Sequence, residues 1–154
     1  MIYSTFQFIH VLGTVLLIGN VTVTAVWKVF ADRTGNPSIV AYAQRLVIYT
    51  DWAFTLGGVT LILAGGYGMA WSGKVGLLSY NWLAWGQALF VLSGAIWLCV
   101  LVPTQIQQAR IARKFAPGTE IPAEYRRLNR RWIVWGVLAT IPLVIAMFLM
   151  IVKV

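Results

Sequence analysis

Four long apolar segments, separated by polar and basic stretches, dominate the hydrophobic pattern of this chain. They cover residues of about 3–27, 46–71, 82–102 and 132–152. Each is long enough for an α-helix to cross a hydrocarbon core roughly 30 Å thick, which needs about 20 residues. Apolar helices are one of the few structures whose backbone polar groups are satisfied in lipid. The pattern predicts an all-α integral membrane protein, an antiparallel up-down four-helix bundle that forms one domain over residues 1–154.

Turn-forming residues mark the connections between these segments. Gly35 and Pro37 predict a turn after the first span, and residues 39–44 predict a short interfacial helix before the second. Pro103 removes one backbone donor and predicts a kink near the end of the third span. Residues 105–115 are expected to continue as an amphipathic helix, which is then broken by Pro117, Gly118 and Pro122.

The composition supports a membrane protein and excludes several other classes. Apolar residues make up 60% of the chain and charged residues only 10%, whereas soluble domains carry about 25% charged residues. The chain therefore lacks the polar residues that a water-exposed surface requires. Its single cysteine, Cys99, excludes a disulfide scaffold.

The formal net charge of +8 is concentrated in two of the predicted loops. Of the twelve lysines and arginines, seven lie between Arg110 and Arg131, and Lys28, Arg33 and Arg45 lie between the first two spans. Cytoplasmic loops carry such an excess. We therefore expect a multi-pass protein of a bacterial inner (plasma) membrane, with both termini outside. The basic hairpin from Arg110 to Arg131 is expected to contact anionic lipid headgroups, and nucleic-acid binding is not expected.

His10 is the only histidine and lies about seven residues into the first span. At 1.5 Å per residue it is roughly 10 Å below the outer boundary, where a polar side chain needs a partner. Two interpretations remain open. The ring is either hydrogen-bonded to a neighbouring helix, or it is a haem or metal ligand, since imidazole is the commonest metal ligand and helical bundles hold cofactors.

One face of the first span is more polar than lipid contact permits. At 100° per residue, the following residues fall within about 40° of one another: Tyr3, His10, Thr14, Leu17, Thr24 and Lys28. This polar seam must face protein, cofactor or water. Gly13 leaves a notch beside His10.

Residues of other spans at the depth of His10 complete a candidate cofactor site. Gln87 is placed to hydrogen-bond the imidazole, and Met147 is placed to supply a thioether as a second axial ligand. Five-coordinate iron is equally compatible with the sequence. The candidate cofactor-binding residues are His10, Gly13, Thr14, Tyr67, Gln87 and Met147, with His10 as the metal ligand.

The second span combines small residues with one acid. Gly58 and Gly65 lie on nearly one face, which favours close helix packing or, alternatively, a porphyrin lying against the groove. Asp51 lies at a depth similar to that of Asn20, so the two side chains are expected to bond each other, or Asp51 to pair with an arginine. A structural polar clamp and a proton route both remain open for this acid.

Three sequence stretches carry a resemblance to known families: "FIHVLGTVLLIGN", "WLAWGQALFVLSGAIWLCVLVPTQ" and "YRRLNRRWIVWGVLATIPLVIAMFLMIVKV". They resemble a bacterial family of four-helix integral membrane proteins to which no activity is assigned. More distantly, the chain is similar to HemJ-type protoporphyrinogen oxidases and CopD-like membrane proteins, which share four helices and an early "LH" motif. The HemJ resemblance implies that His10 is a haem ligand. The functional third-helix lysine of that family has no counterpart in this chain.

These observations predict a membrane-embedded, haem-associated redox or electron-transfer protein that binds haem b through His10, with no enzymatic reaction assigned. The alternative is a cofactor-free accessory or assembly subunit, whose polar seam contacts a larger membrane complex or a second copy of the chain. A small-molecule or ion transporter that uses Asp51 is a third hypothesis.

Overall fold

A computed structural model of the chain describes residues 1–153 and is helical throughout, apart from the connecting loops. This part contains four helices that are long and apolar enough to cross a membrane: α1 (Ile2–Arg33), α2 (Pro37–Ser72), α3 (Asn81–Ala112) and α4 (Ala123–Val152). The predicted all-α class with four spans is confirmed. The prediction that residues 1–154 form one domain stays a prediction.

The helices extend beyond the apolar segments at the ends that carry the basic residues. The separate interfacial helix expected over residues 39–44 is wrong, because α2 begins at Pro37 and continues through this stretch. Asn36 caps the new helix, since its side chain accepts hydrogen bonds from the backbone N–H groups of Ser38 and Ile39. Proline is well suited to the first turn, where its missing N–H has no helical partner. The helix that begins at Pro37 continues past residue 44 into the second span without a turn between them.

Two π-helical segments interrupt the α-helical pattern, one in α2 and one in α3. They span Asp51–Leu56 and Trp97–Leu101. The second ends just before Pro103, whose ring displaces the preceding turn and whose missing N–H removes one hydrogen bond. A π-helical segment thus lies just before this proline, and the kink predicted there stays a prediction. The first segment begins at the buried acid Asp51.

Contacts between helices follow a regular order along the chain. The start of α1 packs on the end of α2, with Phe6 against Gly68 and His10 against Gly65. Along α3 and α4, a Cβ added to Gly86 would meet the side chain of Met150, and Ser93 donates to the carbonyl oxygen of Ala139. In both pairs, residues near the start of the first helix therefore contact residues near the end of the second helix.

Helices α1 and α2 form one closely packed pair, and α3 and α4 form the other. The two pairs contact each other at only one end of the molecule. We call the end near residues 33–37 and 112–123 the basic half, and the end near both termini the terminal half. In the basic half, the segments Pro37–Thr50 and Val102–Ala112 pack together and α1 reaches α4. In the terminal half, among residues 1–153, Gly57–Ser72 contacts neither α4 nor the Asn81–Ile96 segment.

The apolar core lies mainly in the basic half. One cluster joins α2, α3 and α4 through Val47, Leu101 and Trp132, and a second joins them through Val40 and Tyr125. More of the apolar side chains of the terminal half than of the basic half are exposed, as expected for surfaces that contact lipid or another chain.

Candidate functional site

His10 lies at the contact between α1 and α2, where its ring is hydrogen-bonded to the α2 backbone. Its Nδ1 lies 2.9 Å from the carbonyl oxygen of Ile62. Because a carbonyl oxygen only accepts hydrogen bonds, Nδ1 carries the proton of the neutral ring. The other ring nitrogen, Nε2, has no hydrogen-bond partner among residues 1–153 and keeps its lone pair. The hydrogen bond to a neighbouring helix is confirmed, and Nε2 remains available to a ligand.

Glycines bring the two backbones around His10 into direct contact. A Cβ added to Gly65 would lie 2.5 Å from the backbone nitrogen of His10, and one added to Gly58 would lie 2.9 Å from the carbonyl oxygen of Gly13. The interpretation of a glycine face used for helix packing is confirmed. A porphyrin in the Gly58–Gly65 groove is excluded, because α1 already fills it. Gly66 is different, since its added Cβ would meet the His10 ring alone.

Among residues 1–153, none of the other predicted site residues is hydrogen-bonded to the His10 ring. Gly13 is buried against α2, and the Thr14 hydroxyl donates to the His10 carbonyl oxygen at 2.9 Å. The amide of Gln87 donates to the carbonyl oxygens of Leu77 and Leu83, at 2.8 and 3.1 Å, instead of to His10. Tyr67 is 48% exposed on α2, and Met147 is half-buried on α4. Their role as a cofactor wall stays a prediction.

A second polar site, centred on Asp51, joins α1, α2 and α3. One carboxylate oxygen accepts from the Asn20 amide at 3.2 Å and from the Thr55 hydroxyl at 3.0 Å. The other accepts from the Gln105 amide at 2.7 Å and from the Trp97 indole at 3.4 Å. The expected bond between Asn20 and Asp51 is confirmed, and no arginine is paired with this acid among the described residues. The carboxylate is 9% exposed.

A buried lysine extends this polar network to the basic half of α4. Lys28 is 0% exposed and forms an ion pair with Asp32 at 2.6 Å. Its ammonium also donates to the Tyr125 hydroxyl at 3.0 Å and to the Asn129 side-chain oxygen at 3.3 Å. The Tyr125 hydroxyl in turn donates to the Gln44 amide oxygen. The ion pair offsets the large cost of removing an ammonium from water.

The sequence interpretation missed several members of this network, among them Gln44, Gln105 and Tyr125. The signal in the sequence was the position of the two glutamines beside apolar segments. Gln44 lies just before the second span, and Gln105 lies just after the third. Their burial could not be inferred, because residues 39–44 predict a separate interfacial helix and residues 105–115 an amphipathic extension, neither of which was expected to be part of the bundle core. Once α2 and α3 continue past the apolar segments, these amides lie inside the bundle.

The Asp51 site joins three helices through one side chain. All four groups that contact it are neutral hydrogen-bond donors, so both carboxylate oxygens have partners. Within residues 1–153 no group of three or more His, Cys, Asp or Glu side chains could hold a metal ion. The geometry therefore favours the polar clamp, and the proton route stays a hypothesis.

Comparisons with known proteins place the chain in a family of membrane proteins. A family model described as "Predicted integral membrane protein (DUF2269)" matches residues 4–154, which is nearly the whole chain. Searches of curated proteins and of solved structures found no match. The family match agrees with four helices of membrane-spanning length and composition. The chain therefore belongs to the DUF2269 family of integral membrane proteins.

Proposed function

We propose that this protein binds haem b in the membrane through His10 and takes part in electron transfer. The observation that supports the proposal is the state of the His10 ring, which is held at Nδ1 by the Ile62 carbonyl oxygen and has no partner at Nε2. An unpaired imidazole nitrogen inside a membrane span is costly unless something binds it. Iron coordination through Nε2 satisfies this nitrogen.

The hydrogen bond at Nδ1 is the arrangement expected of a metal-ligating histidine. Such histidines usually donate their second ring N–H to a backbone carbonyl or a carboxylate, which fixes the tautomer and the ring orientation. Ile62 supplies that carbonyl oxygen in α2. A Cβ added to Gly66 would lie 3.2 Å from Nδ1, so the lack of a side chain there leaves room for the ring beside α2.

Haem, when bound, supplies reversible one-electron chemistry. The chain's own contribution is to hold the imidazole, because the Ile62 carbonyl oxygen fixes the proton at Nδ1. Among residues 1–153 no other group is hydrogen-bonded to the ring. If haem is bound, Met147 would be a candidate second residue to hold it, and this role stays a prediction.

The proposal includes the location of the protein. The basic half carries most of the lysines and arginines of the chain, and the positive-inside rule assigns such loops to the cytoplasm. We propose a bacterial inner membrane with both termini outside, which puts His10 in the outer leaflet. The exposed lysine and arginine side chains from Arg110 to Arg131 would then contact anionic headgroups.

The purified protein should show a Soret band and, after reduction with dithionite, a sharpened α-band. Replacing His10 by alanine removes the nitrogen that the proposal assigns to iron, so both bands should be lost at unchanged protein yield. The measurement is an absorption spectrum of detergent-purified protein before and after reduction. Gln87→Ala is the matched control, because the Gln87 amide is bonded to Leu77 and Leu83 and its loss should leave the spectrum unchanged.

A colourless wild-type protein that stays colourless after haem is added would overturn the haem proposal. So would a His10→Ala protein with an unchanged spectrum. In either case the second candidate, an accessory or assembly subunit, becomes the better explanation. The separation of the two helix pairs in the terminal half favours it, because each pair there leaves apolar faces without a partner within the described chain. It predicts a stoichiometric membrane partner, or a second copy, in native membranes.

A further inference from the structure

A groove of about 780 Å³ opens in the basic half, between the end of α1 and the start of α4. Its walls include the apolar side chains of Val29, Ile121 and Ile133. Binding sites for small molecules typically measure roughly 300–1,000 Å³. The groove is thus large enough for a lipid headgroup and the beginning of its acyl chains. It is separate from His10 and shares no residue with the proposed haem site.

The floor of the groove is held in place by the buried lysine. Asp32, Tyr125 and Asn129 line the groove, and each accepts a hydrogen bond from the Lys28 ammonium. The Lys28 ammonium thus links three side chains from α1 and α4 through hydrogen bonds. These bonds fix the positions of the residues that form the floor. Lys28 also neutralises Asp32 through their ion pair, so the floor carries no net charge.

The rim of the groove carries charges of both signs that are not paired with each other. Arg33, Arg126 and Glu120 line the groove and are exposed. Among residues 1–153 the only salt bridge joins Lys28 and Asp32, so these three side chains have no oppositely charged partner within the chain. Arg126 donates to the carbonyl oxygen of Ile121, which leaves most of its N–H groups available.

The groove lies where the apolar and polar parts of the helices meet. Trp27, which is half-buried, lies one residue before Lys28, and tryptophan is enriched at membrane interfaces. Val29 and Ile133 are therefore placed to contact acyl chains. Arg33, at the end of α1, is placed at the level of the headgroups.

We infer that this groove binds a phospholipid whose headgroup carries a phosphate and a primary ammonium, as phosphatidylethanolamine does. The guanidinium groups of Arg33 and Arg126 match the phosphate, since arginine binds phosphate through paired N–H donors. The Glu120 carboxylate matches the ammonium, which donates hydrogen bonds to it. A quaternary ammonium has no N–H to donate, and a glycerol headgroup has no positive charge. The groove therefore favours ethanolamine over choline and glycerol headgroups.

Native mass spectrometry of the detergent-purified full chain tests this inference. The protein is mixed with phosphatidylethanolamine, phosphatidylcholine or phosphatidylglycerol of identical acyl chains, and the lipid-bound fraction is compared. Phosphatidylethanolamine should bind about twofold to fivefold more tightly than the other two, the range expected for one exposed charge contact. Inorganic phosphate should not displace it, because phosphate alone makes no acyl contacts.

Two sets of variants separate the groove from general attraction to a basic surface. Glu120→Gln should abolish the preference for ethanolamine while binding to phosphatidylglycerol is kept or raised. The double variant Arg33→Gln with Arg126→Gln should weaken the binding of all three lipids. The matched control is Arg110→Gln with Arg113→Gln, which removes the same charge from exposed positions outside the groove and should keep the preference.

Equal binding of the three lipids by the wild-type protein would overturn the inference. An unchanged preference in Glu120→Gln would also overturn it, and so would equal losses in the two double-arginine variants. Full displacement by inorganic phosphate would show a phosphate site instead of a lipid site. Because Glu120 is exposed and hydrogen-bonded to nothing in the described chain, its substitution tests the groove without disturbing the fold.

Discussion

Replacing Asp51 by leucine should lower the free energy of unfolding by about 2–4 kcal/mol. The leucine removes the acceptor shared by Asn20, Thr55, Gln105 and Trp97. Hydrogen bonds within membrane helices contribute about 0.6 kcal/mol each on average, and a buried donor left without a partner costs roughly 1–3 kcal/mol. Four such bonds amount to about 2.4 kcal/mol, and one donor left without a partner, at the lower limit of about 1 kcal/mol, brings the sum to about 3.4 kcal/mol; Asn20 also donates to Thr55 and so keeps a partner. The measurement is unfolding in mixed micelles with increasing SDS, followed by tryptophan fluorescence.

The control for Asp51→Leu is Thr22→Val, which removes a hydroxyl from an exposed position of α1. Thr22 bonds only the Ile18 carbonyl oxygen of its own helix, so its stability change should stay within about 0.5 kcal/mol. An Asp51→Leu protein as stable as the wild type would contradict the clamp. It would also reopen the proton route, which Asp51→Asn then tests by proton flux into liposomes.

A methyl group added at Gly65 should separate α1 from α2 and destabilise the protein by about 1–3 kcal/mol or more. The added Cβ of Gly65→Ala would lie 2.5 Å from the His10 backbone nitrogen and 2.6 Å from the Phe6 carbonyl oxygen. Both contacts are backbone atoms, so no side chain can rotate away and the helices themselves must move. Overpacking of this kind costs roughly 1–3 kcal/mol, occasionally more. The same SDS titration measures it.

Two further glycines complete a graded series with Gly65→Ala. Gly19→Ala should be neutral or raise stability by up to about 1 kcal/mol, because nothing lies within 4 Å of its added Cβ and alanine favours helices. Gly66→Ala should have an intermediate effect, since its Cβ meets the His10 ring at 3.2 Å and the ring can shift. Equal stability of the three variants would show that α1 and α2 do not pack through Gly65.

The sequence predicts how deep each polar residue lies along its helix. It predicts the hydrogen-bond partners of only some of these residues. Asn20 and Asp51 lie at matching depths in adjacent spans, and they do bond each other. Gln87 also lies near the depth of His10, yet its amide bonds the carbonyl oxygens that precede it. Depth follows from residue number along a straight helix, but a partner depends on which helix is adjacent and which face it presents.

The sequence by itself determined the helical class, the four spans and the basic loops. These are local properties, because lipid requires each spanning segment to satisfy its own backbone and hydropathy records that requirement segment by segment. Only the tertiary structure decided that His10 meets the Ile62 carbonyl oxygen, that Lys28 is buried under a groove, and that the helix pairs part in the terminal half. Those outcomes depend on close approach between distant segments, where glycine backbones and buried side chains must fit together in three dimensions.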